Sequence, residues 1–235
     1  MVVTFMKEER LKMKIIELSG LPGCGKSTIV GEVNERFQFK LLTVQNLEND
    51  RKNFLNNRYL QFLIDLFYFR NLKINLLIIL YTFSYKVNRE RISWISNFIT
   101  YNAKLLEKMN KKRDTYLILD QGIIVLLTAV PHENLIKKNL VFKSLIKALK
   151  QKYKDIMFIN CQLEKQAVTQ RIRMRNQKGH RFDRLSDEML EKMLDIKTHN
   201  LEIVQKYFQE NLDVLTIDMS LGKEVNVEKI LKFII

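Results

Sequence analysis

The 235-residue chain has only two cysteines, two prolines and seven glycines. Cys24 and Cys161 are too few for a disulfide framework and are not spaced as metal ligands, which excludes disulfide-rich and zinc-stabilised classes. The longest apolar run, at 74–83, is interrupted by Asn75 and is too short to span a bilayer. The first residues show no cleavable signal pattern. We therefore expect a soluble cytoplasmic protein without a membrane partner.

Composition and charge fit a globular protein whose partners carry phosphate. Hydrophobic residues make up 46% of the chain and charged residues 28%, which is ordinary for a folded domain. Forty Lys and Arg residues against 26 Asp and Glu residues leave a net charge of +14, and this balance suits a nucleotide or a nucleic acid. Lysine is abundant everywhere, however, and there is no zinc spacing, aromatic RNA-binding signature or separate basic domain. We therefore do not expect a nucleic-acid partner.

Short apolar runs alternate with helical patterns along the chain. The runs predict strands at 13–20, 40–44, 115–120, 155–161 and 212–218. Helical spacing predicts helices at 27–37, 139–152, 164–175 and 227–235, a long helix capped by Ser186, and mostly helical structure over 54–109. This alternation predicts an α/β fold of three layers, a parallel sheet of about five strands with helices on both faces. With no internal repeat or linker, we predict one domain over 1–235, with a loose extension at 1–13.

The scarce glycines and prolines concentrate in "SGLPGCGKST" at 19–28, which holds three of the seven glycines and one of the two prolines. Gly20-x-x-x-x-Gly25-Lys26-Ser27 is the P-loop pattern, and it lies between a predicted strand and a predicted helix. Glycines let backbone N–H groups turn inward around phosphate oxygens, and the following helix directs its positive end at the same anion. The residues assigned to phosphate binding are Gly20, Pro22, Gly23, Cys24, Gly25, Lys26, Ser27 and Thr28.

The P-loop pattern also predicts individual roles in binding ATP and Mg²⁺. Lys26 can reach the β- and γ-phosphates, and the Ser27 hydroxyl can ligate Mg²⁺. Cys24 supplies its backbone N–H rather than its sulfur, so we do not predict a reactive thiol. Asp120 ends the strand "YLILD", which places it at the carboxyl edge of the sheet, where α/β proteins bind ligands. Two roles stay open for Asp120: a Mg²⁺ ligand acting through water, or a base for an acceptor hydroxyl.

Beyond these motifs, the chain resembles thymidylate kinase and the wider nucleoside- and nucleotide-kinase group of P-loop phosphotransferases. The resemblance extends from Met13 almost to the last residue. It rests on "GLPGCGKST", on "LILDQG" after a long helical region, and on "MFINC" leading into "CQLEKQAVTQRIRMRNQKGHRFDRLSD". It closes with "LTIDMS" and "VNVEKILKFI". The resemblance implies a phosphotransferase that uses ATP and Mg²⁺.

In this family the basic segment, here 171–186, is a mobile lid whose arginines cover the transferred phosphoryl group. Arg171 and Arg175 are four residues apart and share one helical face, whereas Arg173 points away from it. Guanidinium forks bind phosphate oxygens in bidentate fashion and stabilise the charge of a transferring phosphoryl group. The predicted catalytic residues are Lys26, Asp120, Arg171, Arg175 and Arg181.

The acceptor half of the chain matches the family less closely than the donor half. The family binds its acceptor against the helical region, here 54–113, whose many aromatic residues we interpret as core or dimer contacts; a homodimer stays open. The strand acid is followed by Gln121 and Gly122, where the family commonly has arginine, and no Glu-Pro-Gly element follows the second strand. We expect a small-molecule acceptor, a nucleotide or nucleoside, with a non-nucleotide hydroxylated metabolite left open.

Two other functions use a P-loop. A GTPase needs Asn-Lys-x-Asp to read guanine, but the nearest stretch, "NKKRD", is out of register and the Asp-x-x-Gly switch is absent. A regulatory ATPase usually carries an acid directly after the strand Asp to activate water. Gln121 stands there instead, and because glutamine can orient water, a regulatory ATPase or nucleotide-binding protein remains the alternative. The sequence predicts an ATP-dependent small-molecule kinase.

Overall fold

A computed structural model describes twelve segments of the chain. They are 15–37, 40–42, 72–83, 95–96, 98–100, 102–103, 117–119, 122–128, 140–152, 156–175, 181–209 and 213–234. Asp120 and Gln121, the first fourteen residues and most of the predicted acceptor region lie outside the described residues.

The described strands form one parallel sheet in the order β2-β3-β1-β4-β5. In chain order they are β1 (Ile15–Gly20), β2 (Lys40–Leu42), β3 (Leu117–Leu119), β4 (Ile156–Gln162) and β5 (Val214–Asp218). The chain leaves β1 toward β2 and β3 on one side and later adds β4 and β5 on the other, so β1 lies at the centre. The order changes direction there, which is where open α/β sheets bind ligands.

Helices cover both faces of this sheet. They are α1 (Lys26–Phe37), α2 (Leu72–Phe83), α3 (Ile123–Thr128), α4 (Leu140–Lys152), α5 (Lys165–Met174), α6 (Asp187–Gln209) and α7 (Lys223–Ile234), with a 3-10 helix at Arg181–Arg184. The described parts of 95–103 are also helical. This architecture confirms the predicted α/β class with its parallel sheet of about five strands.

The side chains of β1 divide the core into two hydrophobic clusters. Ile15 faces a cluster built with α2, α3, α4 and the C-terminal half of α6, which we call the α4 face. Ile16 and Leu18 face a cluster built with α1, α5, α7 and the N-terminal half of α6, which we call the α1 face. This alternation is the period-two pattern of a strand that is buried on both sides.

The element boundaries follow the sequence closely. Ser186 precedes α6, and its Oγ accepts a hydrogen bond from the Met189 N–H at 3.3 Å, as an N-cap does. One boundary was wrong: α7 begins at Lys223, four residues before the predicted start at 227. Its first three residues, at 223–225, are exposed and carry little apolar periodicity, but the Asn226 N–H already donates to the Gly222 carbonyl. None of the described helices is long and apolar enough to cross a membrane.

The aromatic residue Phe142 provides a test of the α4 face. It is fully buried, and its ring lies 5.3 Å from that of Tyr81 and 6.0 Å from that of Tyr207. We expect Phe142→Ala to lower the free energy of unfolding by about 3–5 kcal/mol, because it leaves a cavity and removes two ring contacts. Urea denaturation measures this. Leu140→Ala, at a side chain 76% exposed on the same helix, should change stability by less than about 0.5 kcal/mol; equal losses would contradict the packing described.

Candidate functional site

The P-loop connects the end of β1 at Gly20 to the start of α1 at Lys26. Gly23 and Gly25 have φ angles of 86° and 104°, in the left-handed region that side chains disfavour. The chain therefore turns back on itself in five residues and leads directly into the first turn of α1. Ser27 and Thr28 lie exposed in that turn, and the Thr28 N–H donates to the Gly25 carbonyl at 3.1 Å.

Two other parts of the chain cover the glycine backbone closely. A Cβ on Gly23 would lie 2.8 Å from Cγ1 of Ile172 in α5, and a Cβ on Gly25 would lie 3.2 Å from Cε of Met219, which follows β5. A side chain on Gly23 would collide with Ile172, and one on Gly25 would press against the end of the Met219 side chain. The loop is consequently a bare-backbone cradle with a wall on one side, which is the form that an anion-binding loop requires.

The Lys26 ammonium group is hydrogen-bonded to the start of the loop. Its Nζ donates to the carbonyls of Gly20 at 2.9 Å and Leu21 at 2.8 Å, and it lies 3.5 Å from the Cys24 Sγ. The side chain is half-buried. Lys26 thus holds a positive charge at the start of α1, bonded to two carbonyls that it can exchange for stronger acceptors such as phosphate oxygens.

The two cysteines lie buried beside the loop. The Cys24 N–H, which the sequence assigns to phosphate, donates to the Leu21 carbonyl at 3.3 Å. Cys161 lies beside Cys24, one residue before the end of β4. Burial raises the pKa of its thiol well above the ordinary range, and the neighbouring Cys24 adds to this shift. Both side chains are more than 97% buried, which limits the access of reagents to either sulfur.

The lid arginines occupy different positions. Arg171 Nη1 donates to the Cys24 carbonyl at 2.9 Å and its Nη2 donates to the Met219 carbonyl at 3.1 Å. Arg175 follows the last residue of α5, and its Nη2 lies 3.3 Å from the Cβ position of Gly23. The two guanidinium groups therefore share one helical face and flank the P-loop.

Arg173 and Arg181 contribute differently. The Arg173 guanidinium points away from the loop and donates to the Asp187 carboxylate at 2.6 Å and to the Leu185 carbonyl at 2.8 Å, which ties α5 to the start of α6. Arg181 begins the 3-10 helix, but its side chain lies outside the described part of the structure. Asp120 also lies outside it, so its predicted place at the sheet edge stays a prediction.

The turn after β5 is fixed by its own hydrogen bonds. One Asp218 carboxylate oxygen accepts from the Ser220 hydroxyl at 2.7 Å and from the Ser220 N–H at 2.8 Å, and these bonds lower the pKa of Asp218. The Met219 N–H donates to the Gln162 carbonyl at 2.7 Å. Because Arg171 bridges this turn to Cys24, the P-loop, α5 and the β5–α7 turn form one connected structure.

Sequence reasoning missed four buried polar residues beneath the loop: Glu17, Ser19, Asn160 and Gln205. Gln205 Nε2 donates to the Asn160 Oδ1 at 2.6 Å and to the Ser19 Oγ at 3.3 Å, while both Glu17 oxygens accept from the start of α3. The signal available was Glu17 itself, because a charged residue inside a strand buried on both faces is rare unless it is partnered. Gln205 carried no comparable signal.

The described geometry is suited to binding an anion and to neutralising the charge on it. Backbone amides, Lys26 and two guanidinium groups converge on one loop, while the Ser27 hydroxyl lies exposed beside it. No group of three or more His, Cys, Asp or Glu side chains that could hold a metal ion occurs in the described segments.

No protein-family model and no curated protein matches this sequence. Among solved structures, a deoxyadenosine kinase from M. mycoides with bound dATP aligns at a TM-score of 0.52 and 16% identity, over 94% of this chain and 98% of that one. The YorR protein from Bacillus subtilis, in complex with phosphorylated GDP, aligns at a TM-score of 0.50 and 14% identity, over 94% and 95%. At such identities these similarities establish the fold alone.

Burial of the cysteines predicts that neither thiol reacts in the folded protein. At pH 8, we expect less than about a tenth of the two thiols of the folded chain to react with an aromatic disulfide reagent within minutes, and both to react on unfolding, because both sulfurs are buried and inaccessible. Absorbance of the released thiolate measures this. Rapid modification of Cys24 in the folded state would contradict the closed loop geometry; a Cys161→Ser variant identifies which thiol reacts.

Proposed function

We propose that this protein is a small-molecule kinase that transfers the γ-phosphoryl group of ATP to a nucleoside or nucleotide. The observation that carries the proposal is the cradle of Gly23 and Gly25, closed by Lys26 and flanked by the arginines of α5. Glycine backbone, a lysine at the start of a helix and a guanidinium wall together suit a polyphosphate that must also give up its terminal group.

Fold similarity supports the same class of activity. The M. mycoides protein is a deoxyadenosine kinase with bound dATP, and its structure covers nearly the whole of this chain. Its name supports a nucleoside as the acceptor, while the sequence leaves a nucleotide or another hydroxylated metabolite open. In this proposal residues 1–235 form one kinase domain, with 54–113 as the acceptor region, 171–186 as the lid and 1–13 as an extension.

The donor residues bind and orient the polyphosphate. Bound ATP and Mg²⁺ would supply the phosphoryl group and a cation that neutralises its oxygens. Lys26 releases the Gly20 and Leu21 carbonyls and donates to phosphate oxygens, which accept more strongly because they are charged. Ser27 offers its hydroxyl to Mg²⁺, and Asp120 acts either on the metal through water or as a base for an acceptor hydroxyl.

The arginines take two roles in this proposal. Arg175 flanks Gly23 without a described hydrogen bond to the loop, so it donates to the transferring phosphoryl group, joined by Arg181 from the lid. Arg171 is already bonded to Cys24 and Met219, and it therefore holds the cradle in shape rather than moving onto the phosphoryl group. Closure of the lid excludes water, which limits hydrolysis of ATP.

Lys26→Ala tests the proposal directly. We expect the wild-type protein to release ADP from Mg-ATP faster when a nucleoside or nucleotide is added, and to form a phosphorylated product. Lys26→Ala should lower this turnover by at least about 100-fold, because it removes the positive charge on the phosphates. Coupled ADP release and mass spectrometry of the acceptor measure both.

Lys192→Ala, at an exposed residue of α6, is the control and should turn over like wild type. Acceptor-stimulated release that survives in Lys26→Ala would sink the P-loop mechanism. Slow ADP release that no nucleoside, nucleotide or hydroxylated metabolite stimulates would instead favour a regulatory ATPase.

Substitutions of Arg175 and Arg171 should change different kinetic constants. We expect Arg175→Ala to lower kcat by about 10–1,000-fold with little change in the KM for ATP, because its contact forms mainly in the transition state. Arg171→Ala should chiefly raise the KM for ATP, because the cradle loses its tie to Met219. Arg36→Ala, which removes an exposed pair with Glu224, is the matched control. An Arg175→Ala variant that loses only ATP affinity would make Arg175 a ground-state contact.

A further inference from the structure

Glu17 is a fully buried carboxylate in the central strand of the sheet. It lies between Ile16 and Leu18 in β1, and its side chain is on the α4 face, opposite the P-loop helix. Removing a carboxylate from water is costly unless hydrogen bonds satisfy it. A carboxylate in the middle of an apolar strand, with this desolvation cost, therefore indicates a role that an apolar side chain could not perform.

Both oxygens of Glu17 accept hydrogen bonds from the first two residues of α3. The Ile123 N–H donates to Oε2 at 2.8 Å and the Ile124 N–H donates to Oε1 at 2.7 Å. These amides belong to the first turn of the helix, which has no partners within the helix itself. Glu17 thereby fixes the direction and the starting point of α3 with one side chain.

Gly122 shows how tightly this contact is built. A Cβ at this position would overlap the Glu17 carboxyl carbon and Oε2, and it would lie 2.7 Å from Cγ. Gly122 is buried and directly precedes α3. Only a residue without a side chain allows the carboxylate to approach the helix start, so Glu17 and Gly122 act as one unit.

Glu17 and Gly122 hold the chain on the C-terminal side of Asp120, the acid predicted from the sequence. Glu17 pairs with Leu119 across the β1–β3 ladder, and Leu119 is the last residue of β3. The sequence then runs through Asp120 and Gln121 to Gly122. The strand ladder holds the chain at Leu119 and the Glu17 carboxylate holds it again at Ile123, two positions that flank Asp120 in the sequence.

We propose that Glu17 is a positioning residue for Asp120, acting through the β3–α3 turn. The inference rests on the proposed function, in which Asp120 serves the Mg²⁺ site or the acceptor hydroxyl. Such a group must be held within about half an ångström of its productive place by neighbours that are themselves locked. In this role Glu17 acts from the α4 face of the sheet and does not itself contact the reactants.

Glu17→Gln is the primary variant. It keeps the shape of the side chain but turns one acceptor oxygen into an NH₂ group, which then faces a backbone N–H. Gly122→Ala is the second variant and displaces the carboxylate by collision. Phe142→Leu, a buried change on the α4 face far from the turn in sequence, is the control for destabilisation alone.

Amide hydrogen exchange tests the contact itself. In both variants we expect exchange at Ile123 and Ile124 to accelerate at least about tenfold, while the amides of β4 keep their protection. The control should leave Ile123 and Ile124 unchanged relative to other amides of the α4 face. Unchanged exchange at these two positions in both folded variants would overturn the proposal.

Steady-state kinetics test the functional role. Glu17→Gln should lower kcat at least about tenfold and raise the Mg²⁺ concentration for half-maximal turnover several-fold, with the KM for ATP within twofold. The double variant should be no worse than the poorer single one, because both changes break one unit. Faster exchange with kcat and Mg²⁺ dependence like those of Phe142→Leu would make Glu17 purely structural and overturn the proposal. Should Glu17→Gln not fold, Gly122→Ala supplies the same comparison.

Failure of the proposed function would look different. If the wild-type protein binds Mg-ATP but phosphorylates no acceptor, the kinase proposal fails, and calorimetry still tests Glu17. The affinity for ATP with and without Mg²⁺ should then show a smaller gain from Mg²⁺ in Glu17→Gln than in wild type. An equal gain in both proteins would overturn the positioning role.

Discussion

The close packing of α5 on bare backbone is the contact on which the candidate site depends. A Cβ on Gly23 would lie 2.8 Å from Cγ1 of Ile172, so a methyl group there would force α5 or the loop to shift, whereas a Cβ on Gly25 would lie 3.2 Å from the end of the Met219 side chain. Gly23 is thus needed twice, once for its positive φ angle and once for the space it leaves, and Gly25 chiefly for its φ angle. Helix α5, the P-loop and the β5–α7 turn consequently form one connected structure, although they lie far apart in the sequence.

The central strand separates this piece from a second polar structure on the other face. Glu17 and Ser19 alternate with Ile16 and Leu18 along β1, so each face receives a different chemistry from the same six residues. On the α4 face the buried polar groups are bonded to α3, to β4 and to Gln205 of α6. The central strand therefore presents apolar side chains to the α1 face, whereas on the α4 face Glu17 and Ser19 add hydrogen bonds to an otherwise hydrophobic cluster.

Most of the fold and half of the candidate site could be predicted from the sequence because their determinants are local. The P-loop is a contiguous pattern, the strands are short apolar runs, and Ser186 marks the start of α6 within one residue. The start of α7 was missed because its first three residues are exposed and show no apolar periodicity. The Glu17 contact spans 106 residues and the Gln205 contact 186, and no local pattern encodes such partners. Arg171 was predicted at the loop, but only its bonds to two carbonyls reveal that it is already engaged.

The long helix α6 is the one described helix whose side chains pack in both hydrophobic clusters. Its 23 residues make a rod of about 35 Å. Leu190 and Leu194 pack on the α1 face near the lid, whereas Val204 and Phe208 pack on the α4 face. Because the helix is rigid, a displacement at one end is coupled to the other: a tilt of about 3° around its middle would move each end by about 1 Å. The salt bridge from Arg173 at one end and the amide of Gln205 at the other thus belong to a single mechanical element.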